Sequence, residues 1–250
     1  MAGNTLGMAT QSSPDPVPVL LTRPDDQSRA FATALHDRFG DSLRPVLSPL
    51  MRPDYLSPDL PPPGPFAAVI FTSLHGVRAS LPWRARLPRL AWCVGARTAR
   101  EAQAAGFQTR AADGDAESLI AAILADPPSG PLLHLRGEDQ RGDVAQRLTR
   151  AGHPTQSAIV YRQSPQPLSP QAAELLRRPG VVIVPLFSPR SADLLLAALP
   201  SPTLADLRIV AISAATAQVW PQGAATVARR PDADAMLEAV GNLIATAPPP

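Results

Sequence analysis

The chain alternates short apolar runs with stretches whose apolar residues recur at helical spacing. Residues 17–22 form the first run, and a strand is predicted there. A helix follows, with Ala30, Phe31, Ala34 and Leu35 on one face. Pro24 suits its first turn, where a missing N–H costs nothing, and Asp25 and Asp26 favour the positive end of its dipole. Gly40 is placed to end it. Further strands are predicted at 67–72, 90–95, 107–111, 132–135, 181–187, 207–213 and 224–228. Helices are predicted from near Gly76, over 98–105 and 116–125, around Val144 and Leu148, through Leu194, Leu195, Ala198 and Leu199, over 215–219, and over 233–246.

The same order of elements occurs twice. Arg23 and Arg136 close equivalent strands, Ser73 and Ser188 close another pair, and residues 94–99 correspond to 212–217. Strands alternating with helices imply parallel sheets covered on both faces. The fold class expected is therefore α/β, with two similar parallel-sheet lobes. Segments 43–53 and 158–165 break the rhythm, are extended and lie among prolines, so they are predicted to link the lobes. Pro185 is expected to interrupt the strand before Ser188.

Composition narrows the chemistry. The chain has 250 residues and a formal charge of +2. Every basic residue is arginine, which excludes a Schiff-base enzyme and a phosphate-loop lysine. The arginines form no stripe or arm, so no nucleic-acid partner is expected. Cys93 is the only cysteine, sits in an apolar run and reads as a core thiol. No apolar stretch is long enough to span a membrane, so no membrane partner is expected. Residues 1–16 are polar and Pro-rich, unlike a secretory signal, and read as a disordered leader with Met8 as an alternative start. The Ala-Pro-Pro-Pro end reads as a frayed tail.

In open parallel sheets, ligands bind beyond the carboxyl ends of the strands. The residues predicted there are Thr22, Arg23, Thr72, Ser73, Gly95, Thr98, Arg136, Gly137, Ser188, Ser213 and Thr216. Hydroxyls and helix N-termini bind anions, and the arginine fork suits carboxylates. Those hydroxyls equally suit simple helix capping. The sequence has no dinucleotide fingerprint, no nucleophile elbow and no metal-ligand spacing. The four histidines are isolated in sequence, and His75 is expected at the surface. Tyr161, one of two tyrosines, lies in the second linker, where its phenol could donate a proton or pack as a strand aromatic.

These pieces together resemble the uroporphyrinogen-III synthase family. The resemblance is carried by Leu20-Leu21-Thr22-Arg23-Pro24, by Val69-Ile70-Phe71-Thr72-Ser73 with Gly76-Val77-Arg78, and by Cys93-Val94-Gly95 with Thr98-Ala99. Ala104-Ala105-Gly106-Phe107, the strand ending in Arg136-Gly137, Val160-Tyr161-Arg162, Phe187-Ser188-Pro189 with Ser191-Ala192, and Thr216-Ala217 complete it. Ser213 stands where the family usually has glycine.

The resemblance implies two lobes joined by a two-stranded linker, with a ligand cleft between them. One lobe would be discontinuous, 17–42 plus 166–250; the other would be 54–157. It implies an enzyme, a cyclising hydro-lyase of tetrapyrrole (porphyrin, haem) biosynthesis. Its substrate would be the linear tetrapyrrole hydroxymethylbilane, closed to uroporphyrinogen III with ring D inverted. Tyr161 would assist departure of the hydroxyl. Arg23, Thr72, Ser73, Gly95, Thr98, Arg136, Gly137, Ser188 and Thr216 would contact the substrate. Neither cofactor nor metal would be needed, and the protein would act as a cytoplasmic monomer. The competing reading is a non-catalytic two-lobed binding protein or sensor for a small anion.

Overall fold

The computed structural model describes residues 15–58, 66–139, 142–220 and 225–245. Residues 1–14 of the expected leader 1–16, and the tail beyond 245, lie outside these. The chain divides into two compact units, Met1–Arg52 with Pro165–Pro250, and Pro53–Ser164.

The first unit holds a five-stranded sheet. Its strands are β1 (Val17–Leu21), β2 (Leu43–Leu47), β9 (Gly180–Leu186), β10 (Ala205–Ala211) and β11 (Thr226–Val227), in the order β11-β10-β9-β1-β2. Every pairing between these neighbours is parallel. Helices α1 (Asp25–Phe39) and α9 (Ala233–Ala245) cover one face, where Phe31, Leu35, Met236 and Val240 pack on Val19, Leu21 and Ile183. Helices α6 (Pro170–Leu176) and α7 (Pro189–Ala198) cover the other, with Leu176, Ala192 and Leu195 against Leu20, Val182 and Val184. A short helix α8 (Ala214–Val219) follows β10.

The second unit holds a six-stranded sheet. Its strands are β3 (Met51–Tyr55), β4 (Ala68–Phe71), β5 (Leu90–Cys93), β6 (Gln108–Ala111), β7 (Leu132–Gly137) and β8 (Thr155–Pro165), ordered β3-β8-β7-β4-β5-β6. Helices α2 (Leu74–Ser80) and α3 (Ala96–Ala104) lie on one face, over Val69, Phe71, Leu133, Leu135 and Val160. Helices α4 (Ala116–Ala125) and α5 (Val144–Arg150) lie on the other, over Ala68, Ile70, Trp92 and Leu132. Period-two alternation explains the division, since neighbouring residues of a strand feed opposite cores.

The sequence repeat maps onto strand order in a crossed way. Strands β2-β1-β9-β10-β11 of one sheet match β8-β7-β4-β5-β6 of the other. Each sheet therefore combines strands from both repeats.

Four departures from the sequence-based expectations have physical causes. Segment 43–53 is more than a linker. Leu43–Leu47 pairs with β1 in register, because Leu43 and Val46 are both buried in the first unit's cores. Likewise 158–165 is the end of an eleven-residue strand that begins at Thr155. Pro185 does not interrupt its strand. β9 runs through it, with Pro185 opposite Val210, and the missing N–H costs one ladder bond while the flanking pairs hold. Helix α6 was not predicted from the sequence; it begins at Pro170, capped by the Ser169 hydroxyl, which accepts from Ala172 N–H.

Candidate active site

The strand ends of both units are built alike. Ser73, Gly95, Ser188 and Ser213 each stand between a strand and a helix, in extended backbone with φ of −156°, −171°, −167° and −154°. The Ser73 hydroxyl accepts from His75 N–H at 3.2 Å. Ser188 Oγ accepts from Ser191 N–H at 3.1 Å and forms a capping box with that residue. Ser213 Oγ accepts from Thr216 N–H at 3.3 Å. A hydroxyl used this way caps the helix and can also donate: Ser188 Oγ donates to Ser191 Oγ at 3.2 Å, and Ser213 Oγ shares a hydrogen bond with Thr216 Oγ1 at 3.1 Å. The backbone at Ser213 matches that at Gly95, so the serine is accommodated without a positive φ.

The remaining predicted residues differ in what their side chains do. In the first unit, the Arg23 guanidinium stacks over Phe187 at 3.9 Å and its Nε donates to Gln27 Oε1 at 3.0 Å. Thr216 is fully buried, with its hydroxyl 3.1 Å from Ser213 Oγ. Thr98, in α3 of the second unit, is also buried. These two threonines pack inside their helices rather than presenting side chains at the surface.

The second unit divides its predicted residues between the two faces of its sheet. Arg136 neighbours Leu135, whose side chain lies in the α2/α3 core, so Arg136 points the other way. It lines a pocket of about 470 Å³ with Gln146, Thr149, Arg150, Thr155 and Ser157. Its Nη1 donates to the carbonyl of Gly137 at 2.8 Å. Thr72 lies on this side too, with Oγ1 3.2 Å from His134 Nε2.

Tyr161 lies on the opposite side, and a β-bulge is the reason. Arg136 pairs with Ile159 but Gly137 pairs with Tyr161, leaving Val160 as the extra residue. Regular alternation would send Val160 and Tyr161 to opposite faces. With the bulge, both pack on the α2/α3 core. Gly137 makes room for the ring, since a Cβ there would stand 2.7 Å from Tyr161 Cζ.

His75 joins this cluster. It is half-buried, its ring centroid is 5.6 Å from that of Tyr161, and its Nδ1 is 3.3 Å from the hydroxyl of Tyr55. Burial raises the Tyr55 phenol above its ordinary range, with the neighbouring Arg78 acting against it. Tyr55 and His134 escaped the sequence reading, because nothing in their spacing indicates the neighbours that the sheet supplies. Among the described residues, no group of His, Cys, Asp or Glu could hold a metal ion.

The family model for uroporphyrinogen-III synthase HemD matches residues 30–238, most of the chain. The chain belongs to the uroporphyrinogen-III synthase family. It is thereby a member of a family of cyclising lyases in tetrapyrrole biosynthesis. The fold is shared with a solved structure, the uroporphyrinogen-III synthetase of Helicobacter pylori 26695. That protein is 19% identical, with a TM-score of 0.59 over 91% of this chain and 99% of that one. A mutant uroporphyrinogen III synthase from the extremely thermophilic bacterium Thermus thermophilus is 17% identical, with a TM-score of 0.44 over 92% of this chain and 100% of that one. The comparison with curated proteins gave no match.

Proposed function

We propose that this chain takes hydroxymethylbilane as substrate, removes its terminal hydroxyl as water and closes the ring with ring D inverted, giving uroporphyrinogen III. The observation that carries the reading is the family match over residues 30–238. The bulge-aimed phenol of Tyr161 adds to it, as do the hydroxyl-capped helix starts at the strand ends.

In this reading the Tyr161 phenol donates a hydrogen bond to the departing hydroxyl, which leaves an azafulvene-like cation. The far pyrrole attacks through a spiro intermediate. The linear molecule also closes unaided to the uninverted isomer, so the chain's main contribution is to hold one folded conformation. Each pyrrole carries two carboxylates. Arg23, Arg136, Thr72, Ser73, Ser188 and the backbone at Gly95 and Gly137 are proposed as their donors. Thr98 and Thr216 are proposed to act through the helix starts they support.

The reading includes a monomer acting in the cytoplasm. Among the described residues no helix is long and apolar enough to cross a membrane. Sedimentation checks the monomer.

The deciding experiment supplies purified protein with freshly prepared hydroxymethylbilane. The expected result is a rise in the ratio of type III to type I uroporphyrinogen. An unchanged ratio in the presence of bound substrate would favour the sensor reading instead.

A further inference from the structure

The buried imidazole of His134, in the middle of β7 opposite Ile70, reaches Thr72 just beyond the end of β4. His134 is 1% exposed, and its Nε2 lies 3.2 Å from Thr72 Oγ1. Its other ring nitrogen, Nδ1, is buried without a hydrogen-bond partner. Burial, reinforced by the charge of Arg136, lowers its pKa to about 4. The ring is therefore neutral near pH 7 and carries one proton, on Nδ1 or on Nε2.

The orphaned nitrogen decides between the two. A proton on Nδ1 would leave a buried N–H donor unmade, the rarer and costlier kind of orphan. A proton on Nε2 leaves only an unused lone pair at Nδ1 and places a donor against Thr72 Oγ1. Thr72 has no other hydrogen bond from its hydroxyl among the described residues.

We propose that His134 is a positioning residue: its Nε2–H donates to Thr72 Oγ1 and so obliges the Thr72 hydroxyl to donate its own proton outward, to a carboxylate of the substrate. The threonine, which could otherwise accept or donate, becomes a fixed donor suited to an anion. The inference rests on the proposed synthase reading for the identity of the ligand, but not for the hydrogen bond itself.

The test begins without substrate. In full-length protein labelled with ¹⁵N, the shifts of the two His134 ring nitrogens at pH 7 should report a protonated Nε2 and a bare Nδ1. A protonated Nδ1 overturns the proposal. Kinetics then follow the consequence. His134→Leu should raise KM about tenfold, the scale of one hydrogen bond to a charged group, with a smaller change in kcat. His134→Gln, whose side-chain amide can still donate to Thr72, should restore KM to within about threefold of the starting protein. Thr72→Val combined with His134→Leu should be no worse than Thr72→Val alone. Effects that multiply instead, or no rescue by glutamine in a folded variant, overturn the proposal. A chain with no turnover would retire the synthase reading, while the nitrogen shifts would still decide this one.

Discussion

The ring of Tyr161 occupies the space that a side chain at Gly137 would need, with a Cβ there only 2.9 Å from the phenol oxygen. The two residues are cross-strand partners at a bulge, and each accounts for the other. Gly137→Ala should therefore push the phenol out of place and lower kcat by about tenfold or more, since small misplacements of a reacting group are expensive. Tyr161→Phe, which keeps the ring and removes the hydroxyl, should lower kcat about a hundredfold and leave KM nearly unchanged. Steady-state kinetics on both variants check this. Loss of folding in Tyr161→Phe, without a kinetic effect in the folded fraction, would make Tyr161 a packing residue.

Arg23 tests the carboxylate contacts. Its guanidinium lies over the Phe187 ring and is tied to Gln27. Arg23→Ala should raise KM about tenfold, the loss of one charge-assisted bond. Arg23→Lys should not restore it, because a lysine ammonium has neither the fork nor the stacking plane. Wild-type kinetics in Arg23→Ala would remove the residue from the site.

Capping and binding can be separated at Ser188. Ser188→Ala should cost about 1 kcal/mol of stability through loss of the cap on α7. Ser188→Asp should keep the cap, since aspartate accepts from the same N–H groups, and should repel an anionic substrate. The expected result is near-native thermal stability with a raised KM. An unchanged KM in the aspartate variant would leave Ser188 with capping alone.

His134 gives the protein an acid sensitivity with a defined sign. Its pKa is about 4 when folded, against an ordinary value of 6.5. Below 6.5 the unfolded chain takes up a proton that the folded chain refuses, so stability falls as pH drops from 6.5 to 4. It then levels off with respect to this group. Above 6.5 the contribution is constant. The interval corresponds to about 3 kcal/mol at most. Denaturant melts from pH 7 to pH 4 should show the decline, and His134→Gln should flatten it.

Burial raises the pKa of the Cys93 thiol to about 12. A thiol that holds its proton so firmly is a poor nucleophile. Cys93 should resist a thiol-reactive dye in native buffer at pH 8 and react fully once denaturant unfolds the chain. Rapid labelling of native protein would contradict its place in the core.

Much of this protein was legible in its sequence because local rules operate over a few residues. Apolar periodicity and the Gly40 stop marked α1, and Ala116–Ala125 was predicted at its observed bounds. The matched strand ends at Ser73 and Ser188 were visible as a repeat and carried the family resemblance. What the sequence left open depended on contacts between residues far apart. It could not show that a bulge at Val160 turns Tyr161 onto the α2/α3 side while Arg136 faces α5. Nor could it show that Thr72 meets His134, or that His75 sits between two tyrosines. Hydrophobic spacing specifies which residues are buried; strand register and sheet order specify which buried residues meet. Those arise only when the whole sheet assembles.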